Sequence, residues 1–259
     1  MHTPLGYLLD LDGTLYESGA ALPGAVDTLG ELRRRGTPFR LVTNTTTRSR
    51  RMLVERLAGY GFEVAAEEIF TATLAGVGIL RAAGYRSIAP FVPSGALEDM
   101  AGLPLAGGTS GSAPTRPADA VAIGDLGEGW TFDLLQEAFE HLLSGAVLVA
   151  LSRDRFWRKG NRLTLDAGPF VAALEFAAGE PALVAGKPSE AFFASAVASL
   201  GVPASSVAMV GDDLWSDVEG AQRAGLRGWL VRTGKFREEH LHQAAITPDR
   251  ILASLAELF

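Results

Sequence analysis

The chain has 259 residues, 47% of them hydrophobic and 20% charged, which is enough to bury a large core as one domain or two. Its net charge of −7 argues against a nucleic-acid surface, and the absence of cysteine excludes disulfides, thiolate metal sites and cysteine nucleophiles. No apolar run reaches the roughly 20 residues a membrane span needs, and no basic-then-apolar leader opens the chain, so a cytoplasmic protein without membrane or nucleic-acid partners is expected.

Strand and helix signals then alternate. Leu5 to Leu11 is predicted as a buried strand, Val26 to Arg35 as a helix with Leu29 and Leu32 inward, and Pro38 to Thr43 as a second strand. A helix from Ser49 to Gly59, a short strand from Glu68 to Thr71 and a helix from Leu74 to Ala83 follow. Strands are expected at Ser87 to Val92, Ala118 to Ile123 and Ala146 to Leu151, with a Gly/Ser/Thr-rich loop over 107–114 and a helix from Thr131 to Leu143. Residues 152–162 read as a basic loop and Pro169 to Ala178 as a helix. Strands at Ala182 to Ala185, Val207 to Val210 and Gly228 to Val231 alternate with helices at Ser189 to Leu200 and Asp217 to Ala224, before 248–258 close the chain. Repeated βα units argue for a parallel sheet covered by helices. The expected division is a core of 1–74 and 181–259, with a domain of 75–180 inserted in it.

Four segments at predicted strand ends carry chemistry. The first strand ends in Asp10-Leu11-Asp12-Gly13-Thr14. Alternation in an extended chain sends Asp10 and Asp12 the same way, and two close like charges need a cation or a shared proton between them. Hard oxygen ligands suit Mg²⁺, and the pair fits a nucleophilic carboxylate beside an acid–base carboxylate. The second strand ends in Thr43-Asn44-Thr45-Thr46-Thr47, neutral donors at a helix start that can meet an anion. Gly186-Lys187-Pro188 offers an ammonium that can hold a phosphoryl group and temper the carboxylate repulsion. Gly211-Asp212-Asp213 supplies a third oxygen ligand in Asp212, with Asp213 and Asp217 placed to orient ligand waters or Lys187. Gly124-Asp125 also ends an apolar strand, but it lies in the inserted segment and is not expected to bind the metal. In the basic segment, Arg155 and Arg158 suit anionic groups and Trp157 suits stacking, so these three are candidates for substrate choice.

Together these ordered segments resemble the four motifs of the haloacid-dehalogenase (HAD) superfamily. The form of the second motif and the large insert before Lys187 resemble its NagD-like branch, subfamily IIA. Ile69-Phe70-Thr71, Leu165-Asp166-Ala167-Gly168-Pro169-Phe170 and Val231-Arg232-Thr233-Gly234-Lys235-Phe236-Arg237 further resemble the phospholysine phosphohistidine inorganic pyrophosphate phosphatase group. The resemblance implies an α/β fold: a Rossmann-like core with a parallel sheet, plus an inserted α/β cap of the C2 type that sets specificity. It implies Mg²⁺-dependent hydrolysis of a small phosphorylated molecule (phosphomonoester, pyrophosphate or N-phosphoryl compound) through an aspartyl phosphate. In that reading Asp10 is the nucleophile and Asp12 the acid and then the base. Thr43, Asn44 and Lys187 hold the phosphoryl group, and Asp10, the Asp12 carbonyl and Asp212 hold the Mg²⁺. Several eukaryotic members of the group have serine where this chain has Asp12, so their substrate preferences transfer less readily. A dehalogenase has no need of a leaving-group acid, and Asp12 argues against that reaction. A phosphomutase or phosphotransferase, and a non-catalytic phosphate-binding or signalling module, are the alternative readings. A homodimer through the cap face is compatible with all of them.

Overall fold

The computed structural model describes residues 3–111, 116–159 and 162–259. The chain forms two compact units, one of Met1–Thr43, Leu53–Phe70 and Lys187–Phe259, the other of Asn44–Met52 and Thr71–Gly186. Among the described residues no helix is long and apolar enough to cross a membrane.

The first unit is built on a six-stranded sheet in the order Arg250–Leu252, Arg227–Val231, Val207–Gly211, Gly6–Asp10, Phe39–Thr43, Ile69–Thr71. The central ladders are parallel, with Leu9 opposite Val210 and Leu41, and Val210 opposite Trp229. Gly6–Asp10 and Val207–Gly211 are buried along their whole length, as strands covered on both faces must be. On one face Tyr7, Leu9, Leu41 and Val210 pack with Leu29 and Leu32 of the Ala25–Arg34 helix and with Leu53 and Leu57. Phe192, Phe193, Ala196 and Val197 of the Glu190–Ala198 helix are also buried. Leu41 has no exposed surface. Leu41→Ala is therefore expected to cost about 2–5 kcal/mol in urea unfolding without changing the residues of the site; a loss within experimental error would mean that this strand is not central to the core.

The second unit has its own four-stranded sheet in the order Leu183–Val184, Val147–Ala150, Ala120–Ile123, Ile88–Phe91, again parallel. Helices Ala72–Ala82 and Phe132–Leu143 start at threonine caps, Thr71 Oγ1 accepting from Leu74 N–H at 3.1 Å and Thr131 Oγ1 from Leu134 N–H at 3.2 Å. Stacked rings of Phe91, Trp130 and Phe170 fill one side of its core. Leu183–Val184 and the basic segment differ from the sequence expectation. Leu183–Val184 completes this second sheet, since periodicity alone cannot tell which of two parallel sheets a short apolar strand joins. The basic segment is an antiparallel hairpin, Phe156–Lys159 against Arg162–Leu165, rather than a loop. Phe156, Trp157, Leu163 and Leu165 remain exposed on it, so no buried stripe announces its strands.

Candidate active site

The strand register brings the acidic turns to one sheet edge. Leu9 pairs with Val210, so Asp10 and Gly211 finish level, and Thr43 follows Val42, the partner of Asp10. This is the carboxyl edge, where open parallel sheets bind ligands. Lys187 arrives from the loop ahead of the Glu190–Ala198 helix, which Ser189 caps by accepting from Phe192 N–H at 3.2 Å. The buried Lys187 ammonium donates to Asp10 Oδ1 and to Asp217 Oδ1, each at 2.6 Å.

Asp217 reaches the ammonium because the chain after Asp213 opens into a wide turn. The Val218 N–H reaches back five residues to the Asp213 carbonyl, where an α-helix would reach back four. The start of the helix predicted from Asp217 to Ala224 thus lies within Leu214–Glu219, wound more loosely, and only Gly220–Arg223 is regular α-helix. Asp217 Oδ2 accepts the Asp213 N–H at 3.1 Å and lies 2.1 Å from where a Cβ on Gly211 would stand. Any side chain at 211 would displace that carboxylate.

Asp212 is held from two sides. Its Oδ2 accepts the Lys235 backbone N–H at 2.7 Å. Gly13 (φ +83°) and Gly234 (φ +58°) press bare backbone against the same oxygen, where a Cβ would sit 2.1 and 2.0 Å away. The Thr233 hydroxyl donates to the Gly13 carbonyl at 2.5 Å. Asp213 Oδ1 accepts from Trp215 and Ser216 N–H at 3.0 Å each, capping the wide turn, and its Oδ2 accepts from the Lys235 ammonium at 3.1 Å.

Electrostatics set the cluster apart. Burial raises the Asp10 carboxyl above its ordinary range, opposed by Lys187. Burial, then Asp10 and Asp217, lift Asp212 well above it. Asp217 rises to about 6, again chiefly by burial and again opposed by Lys187. Burial works against the Lys187 charge, but Asp10 and Asp217 outweigh it and hold the ammonium protonated. Burial of Asp213 is outweighed by Lys235, and its carboxyl lies low. One oxygen from each of Asp10, Asp212 and Asp217 lies within 4.8 Å of the others. Three buried carboxylates facing one buried ammonium leave an excess that a divalent cation would neutralise, and an all-oxygen donor set suits a hard one. The residues present therefore fit a divalent metal.

Of the residues singled out in sequence, Asp10, Lys187, Asp212 and Asp217 meet directly, and Asp213 borders them. Asp12 is exposed just past the strand, in a turn closed by the Gly13 N–H donating to the Tyr16 carbonyl at 2.8 Å. Thr43 is buried at the end of its strand. Asn44 belongs to the second unit, where its Nδ2 donates to Asp154 Oδ2 at 3.1 Å. Arg155 and Trp157 are exposed in that unit. The side chain of Arg158 lies outside the described residues. Sequence reasoning did not assign Gly211, Thr233, Gly234 or Lys235 to the site. The available signal was Gly234-Lys235 just past a predicted strand, in a chain with only three lysines.

Comparison with known proteins agrees with this geometry. A family model described as haloacid dehalogenase-like hydrolase matches residues 7–103, and a HAD-hydrolase-like model matches 184–258. The human phospholysine phosphohistidine inorganic pyrophosphate phosphatase is 36% identical over 258 residues, 97% of this chain and 92% of that protein. The bovine haloacid dehalogenase-like hydrolase domain-containing protein 2 is 40% identical over 230 residues, 89% of this chain and 85% of that one. Among solved structures, a p-nitrophenyl phosphatase from Archaeoglobus fulgidus superposes with a TM-score of 0.89 at 30% identity, covering 99% of this chain and 98% of that one. NagD from E. coli shares the fold, with a TM-score of 0.88 at 24% identity over 99% of this chain and 98% of its own. The chain thus belongs to the haloacid-dehalogenase superfamily and is a phosphatase.

Proposed function

We propose that the protein is a Mg²⁺-dependent phosphatase that hydrolyses a small phosphorylated molecule through an aspartyl phosphate on Asp10. The observation that carries this reading is the Lys187 ammonium shared between Asp10 and Asp217, beside Asp212, at a parallel sheet's carboxyl edge. Lys187 fixes Asp10 by one oxygen, which leaves the other to attack phosphorus. As the phosphoryl group passes to Asp10, the bond to the leaving oxygen breaks and Asp12 supplies the proton that oxygen takes. Asp12, now a carboxylate, draws a proton from water, which attacks the aspartyl phosphate, releases inorganic phosphate and restores Asp10. Exposure of Asp12 suits both exchanges with solvent and leaving group. Asp10, the Asp12 carbonyl and Asp212 would hold the Mg²⁺, with Asp217 and Asp213 orienting Lys187 and the ligand waters. When bound, that ion would neutralise the carboxylates and the charge of the transferring phosphoryl group. Thr43, Asn44 and Lys187 bind the phosphoryl oxygens in this reading. Residues 75–180 act as the cap, with Arg155, Trp157 and Arg158 contributing to substrate choice.

The names of the relatives widen the substrate field to phosphomonoesters, inorganic pyrophosphate and N-phosphorylated side chains. Phosphate release across a panel of those three classes, with Mg²⁺ and with EDTA, tests the proposal. Release that needs Mg²⁺ supports it, and equal release in EDTA refutes the metal-dependent mechanism.

The carboxylate cluster also sets a pH signature. Asp217 titrates near 6 in the fold against 3.8 when unperturbed, so the metal-free protein loses stability as pH rises between those values. Bound Mg²⁺ removes that penalty. The rise in Tm on adding saturating Mg²⁺ is expected to be larger at about pH 7 than at about pH 5, in differential scanning fluorimetry. An equal rise at both would show that Asp217 does not feel the ion.

A further inference from the structure

The turn after the Arg227–Val231 strand lies outside the four motif segments, yet three consecutive residues of it engage the site. Thr233 donates its hydroxyl to the Gly13 carbonyl at 2.5 Å. Gly234 lays its Cα against Asp212, so close that a Cβ would stand 2.0 Å from Oδ2 and 2.7 Å from the Gly13 Cα. Lys235 donates its backbone N–H to Asp212 Oδ2 at 2.7 Å and its ammonium to Asp213 Oδ2 at 3.1 Å. A single turn therefore ties the acidic turn after Asp10 to the one after Gly211, two segments about 200 residues apart in the chain.

The consequence falls on Asp212. Its Oδ2 is committed to a cradle of bare backbone from Gly13 and Gly234 and to one N–H, which leaves Oδ1 as the oxygen free for a cation. A carboxylate pinned by one oxygen meets a metal without losing rotamer freedom, and such outer partners orient ligands and tune affinity. The Lys235 charge, spent mainly on Asp213, also lowers Asp10 and Asp212 while standing outside the cluster itself. The Thr233 hydroxyl is the piece of this clasp that a substitution can remove cleanly, because it reaches a backbone carbonyl and no ionised group.

We propose that Thr233-Gly234-Lys235 is a clasp that positions Asp212 and the Gly13 turn for divalent-metal binding, with Thr233 and Gly234 as positioning residues. The inference rests on the Mg²⁺ reading of the site and adds residues to it that lie outside the four motif segments.

The test is titration calorimetry of the full-length protein with MgCl₂, comparing wild type with Thr233→Val, Thr233→Ser and Gly234→Ala, alongside Tm values in EDTA. Thr233→Val is expected to weaken Mg²⁺ about tenfold, because the Gly13 turn loses the bond that holds it against Asp212 Oδ2, and Thr233→Ser to restore most of it. Gly234→Ala is expected to weaken it further, because its methyl collides with Oδ2 and strains a left-handed residue. A merely structural role would lower Tm in EDTA and leave the Mg²⁺ affinity of the folded fraction unchanged; that result overturns the clasp. Should Thr233→Val not fold, the same comparison is made between Thr233→Ser and Thr233→Ala. Wild type that binds Mg²⁺ while every folded variant binds equally well removes the clasp and leaves the metal reading standing. Wild type that binds no Mg²⁺ overturns both.

Discussion

Asp10→Asn is expected to reduce kcat by roughly 10⁴-fold or more, the scale of removing a nucleophile in covalent catalysis, while the protein stays folded. Asparagine keeps the shape of the side chain and can still accept the Lys187 hydrogen bond that Asp10 Oδ1 now accepts at 2.6 Å. It removes one of three buried carboxylates whose ionisation the fold disfavours. The metal-free variant should thus match or exceed wild type in Tm, as expected when a residue is kept for activity at the expense of stability. Steady-state phosphate release and thermal melts in EDTA check both halves. Residual activity within tenfold of wild type would remove Asp10 from the chemistry.

Lys187→Met is the second large effect, and there stability falls together with activity. Methionine matches the length of the lysine stem but leaves Asp10 and Asp217 without their buried cation, with the Asp212 carboxylate beside them. Breaking one side of a buried ion pair typically costs about 3–5 kcal/mol, because the partner charge stays behind uncompensated. Urea unfolding near neutral pH should show a loss of that order. The loss should shrink at about pH 5, where protonated carboxyls no longer need the ammonium. A pH-independent loss would mean that packing of the lysine stem, rather than its charge, is what the fold requires.

The place of Asp10 at a strand end is legible in the sequence, whereas Lys187 follows Leu183–Val184, a strand of the other sheet, and is carried by the loop ahead of the Glu190–Ala198 helix. A strand buried on both faces reads as an unbroken apolar run, as in Tyr7-Leu8-Leu9 and Val207-Ala208-Met209-Val210, and a carboxylate ending such a run marks its exit from the sheet. The parallel α/β architecture follows from the same alternation. What was not legible depends on contacts between distant segments. Nothing near Gly211 in the chain says that the Asp217 carboxylate will occupy its side-chain space, because that depends on a turn wound wider than α-helical. Nothing near Gly234 announces Asp212, since the two meet only once neighbouring strands have paired. The hairpin at Phe156–Lys159 and Arg162–Leu165 escaped notice for the opposite reason: its apolar residues face solvent, so hydrophobic periodicity had no stripe to find. The small hairpin Tyr16–Glu17 with Ala20–Ala21 turns on Ser18 and Gly19, both at positive φ, and two-residue strands are below what alternation can show.

The most direct test of an aspartyl phosphate on Asp10 is the intact mass of acid-quenched Asp12→Asn during turnover of p-nitrophenyl phosphate with Mg²⁺. The nitrophenolate leaves without needing a proton, so phosphorylation of Asp10 proceeds, while the lost base slows attack by water and lets the intermediate build up. A mass gain of one phosphoryl group is expected, mapping to Asp10 after borohydride reduction and absent from the Asp10→Asn, Asp12→Asn double variant. Continued phosphate release with no such gain would show that water attacks the substrate directly, contradicting a nucleophilic Asp10.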